Sequence, residues 1–123
     1  MKIDSAHYIK DYEGKCKNLH GHTFKIVVLE KFTKLNKINI AKDFGELPSS
    51  QGVMEFMKEV VEKLDHKLLN EELKEENLTS EFLSRWLYER AKKIIGGEFA
   101  ILVQEGDGGI CVYDGKSWWL GKV

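Results

Sequence analysis

From residue 20 onward the chain repeats with a period of two: His20, His22, Phe24, Ile26 and Val28 share one parity, while Thr23 and Lys25 take the other. That is the period of a strand, so the segment over residues 20–31 buries its apolar side by lying in a sheet. The paired histidines open that buried side. Residues 2–9 alternate in the same way, with Ile3, Ser5, His7 and Ile9 on one side, which turns His7 inward as well. A third strand is expected over Lys37 to Ala41, where Ile38 and Ile40 alternate after the polar stretch Thr33 to Asn36, closing a hairpin with the preceding strand.

Between Val53 and Leu64 the period changes. Val53, Met54, Met57, Val60, Val61 and Leu64 recur at helical intervals and predict one apolar stripe, with Pro48 and the serines after it suiting the helix start. A second helix is expected from Thr79, whose hydroxyl can cap free N–H groups, with Glu81 in the first turn and Leu78 stapled against Leu83. Phe82, Leu83, Trp86, Leu87 and Ile94 form its inner side, and Gly96-Gly97 stop it. Phe99 to Gln104 and Ile110 to Tyr113 then read as strands around the Gly106-Asp107-Gly108-Gly109 turn. Strands, two helices and strands again give an α+β class, an antiparallel sheet with two helices packed on one face.

The chain of 123 residues is expected to form a single domain, 1–123, with one core. A formal charge of −1 lacks the basic excess that nucleic acid or an anionic membrane surface requires. No apolar stretch approaches a membrane span and the first residues lack a signal-peptide apolar region, so the chain reads as cytoplasmic. In that reducing compartment Cys16 and Cys111 are expected as free thiols, Cys111 as a buried small hydrophobe.

The sequence contains four histidines, and three of them, His7, His20 and His22, are expected to face the core. Three neutral imidazoles around zinc leave one coordination position open, as in catalytic sites; closed structural sites have four protein ligands and more sulfur. Cys16, four residues before His20, leaves two arrangements open: a closed site of one cysteine and three histidines, or a free thiolate beside an open ion. Gly21 lets another segment approach closely. Asp65-His66 reads as a helix end, or as a carboxylate orienting an imidazole that exchanges a proton. By spacing alone Glu105 is an exposed strand-end charge, and Thr79 is accounted for by its cap.

Together Ser5-Ala6-His7, Cys16-x-x-x-His20-Gly21-His22, Asp43-Phe44-Gly45-Glu46-Leu47, Leu64-Asp65-His66-x-x-Leu69-Asn70 and Leu78-Thr79-Ser80-Glu81 resemble the 6-pyruvoyl tetrahydropterin synthase and 6-carboxytetrahydropterin synthase superfamily, in order and over nearly the whole chain. The three-residue gap after Cys16 is similar to the carboxy branch, enzymes of queuosine and deazapurine biosynthesis. The resemblance implies zinc ligands His7, His20 and His22, a catalytic thiol at Cys16, and a proton-transfer triad completed by Asp65 and His66. It also implies a pterin-binding carboxylate at Glu105, with further ring contacts from Thr79, Ser80 and Glu81. The implied reaction converts 7,8-dihydroneopterin triphosphate to 6-carboxy-5,6,7,8-tetrahydropterin with loss of acetaldehyde and triphosphate; in the pyruvoyl branch only triphosphate leaves. The implied fold is a T-fold, whose sheets assemble into a barrel-like oligomer, commonly a hexamer, with active sites between subunits. Three positions depart from the pattern: Ile3 replaces an aromatic, Pro48 to Gly52 reads as an insertion, and Gly106 stands where relatives carry threonine. A small non-catalytic binding module stabilised by zinc is the alternative from another class.

Overall fold

In a computed structural model that describes residues 1–31 and 50–123, five strands form one antiparallel sheet in chain order. They are β1 (Lys2–His7), β2 (His20–Glu30), β3 (Phe99–Glu105), β4 (Ile110–Tyr113) and β5 (Trp118–Gly121), with helices α1 (Ser50–Leu64), α2 (Leu69–Glu72) and α3 (Ser80–Ala91) between β2 and β3. The expected strand over 37–41 and its hairpin, the Asp43 to Leu47 motif, and residues 48 and 49 of the expected insertion lie outside the described residues.

The register of β1 on β2 follows from the alternation. Ile3 lies opposite Phe24, Ser5 opposite His22, and His7 opposite His20. Directly opposed residues point to the same side, so the apolar positions of β1 and β2 and all three histidines share one face. Ile26, Ile101 and Val103 continue that face across β2 and β3. Phe56, Val60 and Leu64 of α1 and Leu83 and Leu87 of α3 are buried against it in one core. The α+β reading is therefore correct, although the helical layer holds an additional short helix.

The apolar stripe of α1 differs from the one expected. Phe56, Val60 and Leu64 are buried, whereas Met54 is 72% and Val61 40% exposed. At 3.6 residues per turn Met54 and Val61 sit roughly a third of a turn from Val60, off the side that Phe56 and Leu64 flank. The helix also starts at Ser50, so Ser50 to Gly52 of the expected insertion extend it. The expected cap of α3 is present: the Thr79 hydroxyl accepts from the Phe82 N–H at 3.0 Å. Thr79→Ala is expected to lower the unfolding free energy by about 1 kcal/mol and Thr79→Ser by much less, as denaturant titration would measure.

Two elements carried no sequence signal. The four residues of α2 are too few to show a period, and the helix is held by the buried Asn70 side chain. Asn70 accepts from the Tyr8 N–H at 2.9 Å and donates to the carbonyls of Tyr8 and Glu75 at 2.8 and 2.9 Å. Strand β5 places Trp118, Trp119 and Leu120 consecutively, an apolar run without alternation, and all three are exposed on the sheet's last strand. Its turn is closed by Asp114, whose carboxyl is pulled down to about 2 by the backbone N–H groups of Ser117 and Lys116. At the other end of the sheet, residues 65–68 run beside β1: the Ala6 N–H donates to the Lys67 carbonyl at 2.9 Å, and Ala6 bridges Leu68.

No described helix is long and apolar enough to cross a membrane.

Candidate metal centre and active site

Because β1 and β2 are in the register described, His7, His20 and His22 converge on the helix-facing side of the sheet. Their ring centroids lie 4.5 to 5.2 Å apart. One potential ligand atom from each lies within 4.8 Å of the other two, the one such cluster among the described residues. The Nδ1–H of His7 donates to the Leu78 carbonyl at 2.7 Å, and that of His20 to the Asn18 carbonyl at 2.6 Å. Those bonds fix the tautomer and leave each Nε2 lone pair free, the usual orientation of a metal-binding imidazole.

The Nε2 atoms of all three histidines are buried and have no hydrogen-bond partner. An unpaired buried acceptor costs about 1–3 kcal/mol, and three facing one point are the arrangement a cation would relieve. Burial also holds the His7 imidazole below its ordinary range, against its Leu78 bond and the Glu105 charge, which keeps it in the neutral form a metal requires. The residues present fit a zinc ion held by three imidazoles. Cys16, half-buried and free, is not part of the cluster.

Glu105 is better placed than its position at a strand end suggested. From the end of β3 its carboxylate faces the histidines, with Oε1 3.9 Å from His7 Nε2 and Oε2 3.7 Å from His22 Nε2. The Ser80 hydroxyl donates to Oε1 at 2.8 Å. Of the three residues at the start of α3, only Ser80 thus contacts the site's carboxylate; Thr79 uses its hydroxyl for the cap and the Glu81 side chain is exposed. The next residue, Gly106, has φ +55, a conformation that a β-branched threonine rarely adopts, so the turn itself favours glycine there.

Asp65 and His66 form a pair, His66 Nδ1 lying 2.9 Å from Asp65 Oδ2. The Asp4 N–H donates to Asp65 Oδ1 at 2.9 Å and the His66 N–H donates to the Asp4 carbonyl at 2.7 Å, which ties both residues to the outer edge of β1. The Asp4 amide first, and then the His66 imidazole, hold the Asp65 carboxyl below its usual range. His66 has φ +56 and is exposed. It borders an open depression of about 550 Å³ lined by Asp4, Ala6, Gly21 and Thr23, whose alternation turns them away from the histidines, and also by Ser5, His22 and Lys67. Within one chain Cys16, Asp65 and His66 form no cluster. Nor does a second segment of the same chain crowd Gly21: a Cβ there would meet only the Ser5 carbonyl, at 3.7 Å.

The family model described as 6-pyruvoyl tetrahydropterin synthase matches residues 1–116. A Synechocystis protein named 6-carboxy-5,6,7,8-tetrahydropterin synthase is 30% identical over 97 residues, covering 76% of this chain and 71% of that protein. A Haemophilus influenzae protein of the same name is 34% identical over 79 residues, 61% of this chain and 52% of its own length. A Pyrococcus horikoshii protein that bears the name provisionally is 38% identical over 69 residues, 55% of this chain and 37% of its own length. The matches thus span between 37% and 71% of these three relatives.

Proposed function

The chain belongs to the 6-pyruvoyl tetrahydropterin synthase family, and from that premise we propose that it is a zinc-dependent 6-carboxy-5,6,7,8-tetrahydropterin synthase. In this reading it acts on 7,8-dihydroneopterin triphosphate, releases acetaldehyde and triphosphate, and serves queuosine or deazapurine biosynthesis. The observation that carries the reading is the convergence of three buried, unpartnered Nε2 atoms in front of the Glu105 carboxylate. The three residues Lys17-Asn18-Leu19 between Cys16 and His20, together with the names of the relatives, favour the carboxy branch.

His7, His20 and His22 would hold the zinc, which when bound supplies Lewis-acid stabilisation of negative charge on substrate oxygens. Glu105, steadied by Ser80, accepts paired hydrogen bonds from the 2-amino group and ring N–H of the pterin. Cys16 and His66 move protons on opposite sides of the reacting carbon, Asp65 fixing the imidazole. Because the Asp65–His66 pair is tied to Asp4 at the edge of β1 and does not meet Cys16, it serves a neighbouring copy rather than its own thiol. That requirement fits a T-fold homohexamer with active sites between subunits.

The test is product analysis of the zinc-loaded protein with 7,8-dihydroneopterin triphosphate. Acetaldehyde and triphosphate released in equal amounts are the expected result. A pyruvoyl product without acetaldehyde moves the chain to the other branch, and the absence of both overturns the synthase reading.

A further inference from the structure

The loop that carries Cys16 has almost nothing apolar holding it. From Lys10 to Leu19 every residue except Cys16 is exposed, so no side chain of the loop reaches the core. Its position depends on hydrogen bonds, and nearly all of those that leave the loop run to one segment, residues 70–78. Tyr8 is held on both backbone groups by Asn70. The Lys10 N–H donates to the Glu76 carbonyl at 3.1 Å, and its ammonium meets the Glu76 carboxylate at 2.9 Å. Asp11 and Asn77 grip each other reciprocally: the Asp11 N–H donates to Asn77 Oδ1 at 2.9 Å, and Asn77 Nδ2 donates to Asp11 Oδ2 at 2.8 Å. Between these contacts Ile9 bridges Asn77, and the Ile9 N–H donates to the carbonyl of Cys16 at 2.8 Å.

We propose that the Asp11–Asn77 pair positions the Cys16 thiol, making Asn77 and Asp11 positioning residues for the reaction. The inference rests on the reading of Cys16 as the proton-transferring thiol. Asn77 immediately precedes Leu78, whose carbonyl orients His7, and lies three residues before Ser80, which steadies Glu105. One stretch of chain thereby sets the thiol loop in register with the metal ligand and with the pterin-binding carboxylate. A displacement of about 1 Å at a reacting group can cost on the order of a hundredfold in rate, so a surface hydrogen-bond pair is enough to matter.

The test uses zinc-loaded full-length protein and four forms: the natural chain, Asn77→Leu, Asn77→Asp, and the exchanged pair Asp11→Asn with Asn77→Asp. Asn77→Leu removes both reciprocal bonds; Asn77→Asp places two carboxylates together; the exchange restores a donor opposite each acceptor without altering net charge. Each form is assayed for Cys16 alkylation by iodoacetamide, kcat/KM, zinc content and thermal midpoint, with Cys16→Ala supplying the background from the buried Cys111. Both single variants are expected to raise the alkylation rate about tenfold, as the half-buried sulfur gains access, and to lower kcat/KM by about tenfold or more. The exchanged pair is expected to return both to within about twofold, and all forms keep one zinc per chain. An unchanged alkylation rate in Asn77→Leu, or an exchanged pair as impaired as Asn77→Asp, overturns the proposal. If a single variant unfolds, Asp11→Ala, which leaves the backbone bond to Asn77 intact, is judged by the same alkylation criterion. Alkylation is read without turnover, so a failure of the positioning role is distinguishable from retained activity in Cys16→Ala, which would remove the reading beneath it.

Discussion

Replacing Cys16 by alanine is expected to lower kcat for acetaldehyde release by roughly 10²- to 10⁴-fold, the range a positioned acid–base group supplies, while the protein keeps one zinc ion per chain and its fold. The two halves of that result separate the readings that the sequence left open. A closed site of one cysteine and three histidines requires the thiolate as a ligand, so its loss would release zinc and, in a zinc-stabilised module, unfold the chain. An open site requires only the imidazoles. In the structure Cys16 stands outside the histidine cluster, and its loop is held by Asn70, Glu76 and Asn77 rather than by the histidines. Metal content and kcat measured on the same preparation decide the matter: zinc lost along with activity would reassign Cys16 as a ligand. Cys111 gives no competing thiol, since it is 3% exposed and burial pushes its pKa up.

The second large effect belongs to the histidines. His20→Ala is expected to weaken zinc binding by roughly a hundredfold to a thousandfold, because a structural zinc site supplies about 10–16 kcal/mol from four ligands, roughly 2.5–4 kcal/mol for each. Competition against a chromogenic chelator measures this without any turnover. His7→Ala should do the same and also leave the Leu78 carbonyl without its donor, so its thermal midpoint is expected to fall further than that of His20→Ala, whose Asn18 partner is at the surface. Affinities unchanged in both variants would remove the metal centre. Acidification acts in the same direction as these substitutions, since protons compete for the same Nε2 lone pairs.

The reach of the sequence can be traced through particular residues. Parity alone placed His7, His20 and His22 on the core side, because a strand has only two faces and Phe24 and Ile26 mark which one is buried. Thr79 was equally legible, since a hydroxyl before an apolar turn has a local job to do. Glu105 was legible only through the resemblance, because its value comes from facing His7 and His22 across the sheet, a relation between β3 and its neighbours that strand-end composition does not encode. Asp65 and His66 were legible as a carboxylate beside an imidazole, and the resemblance gave the pair its role, yet its place against β1 depends on how residues 65–68 dock at the strand's edge. Asn77 and Asp11 left no trace at all, being ordinary loop residues until they meet. Strand β5 has no such signature, because Trp118, Trp119 and Leu120 break the alternation that identifies half-buried strands.

The pairing of β1 with β2 has a consequence for how the chain reaches its native state. The two strands are joined by residues 8–19, a connection too long and irregular for turn geometry to dictate which residues meet. Sliding β1 by one residue would carry His7 to the solvent side while His20 and His22 stayed in place, leaving two imidazoles where three are needed. Bound zinc would therefore act as a proofreader of strand alignment, rewarding the one arrangement in which His7 lies opposite His20, so that holding the ion and finding the correct hairpin become a single event.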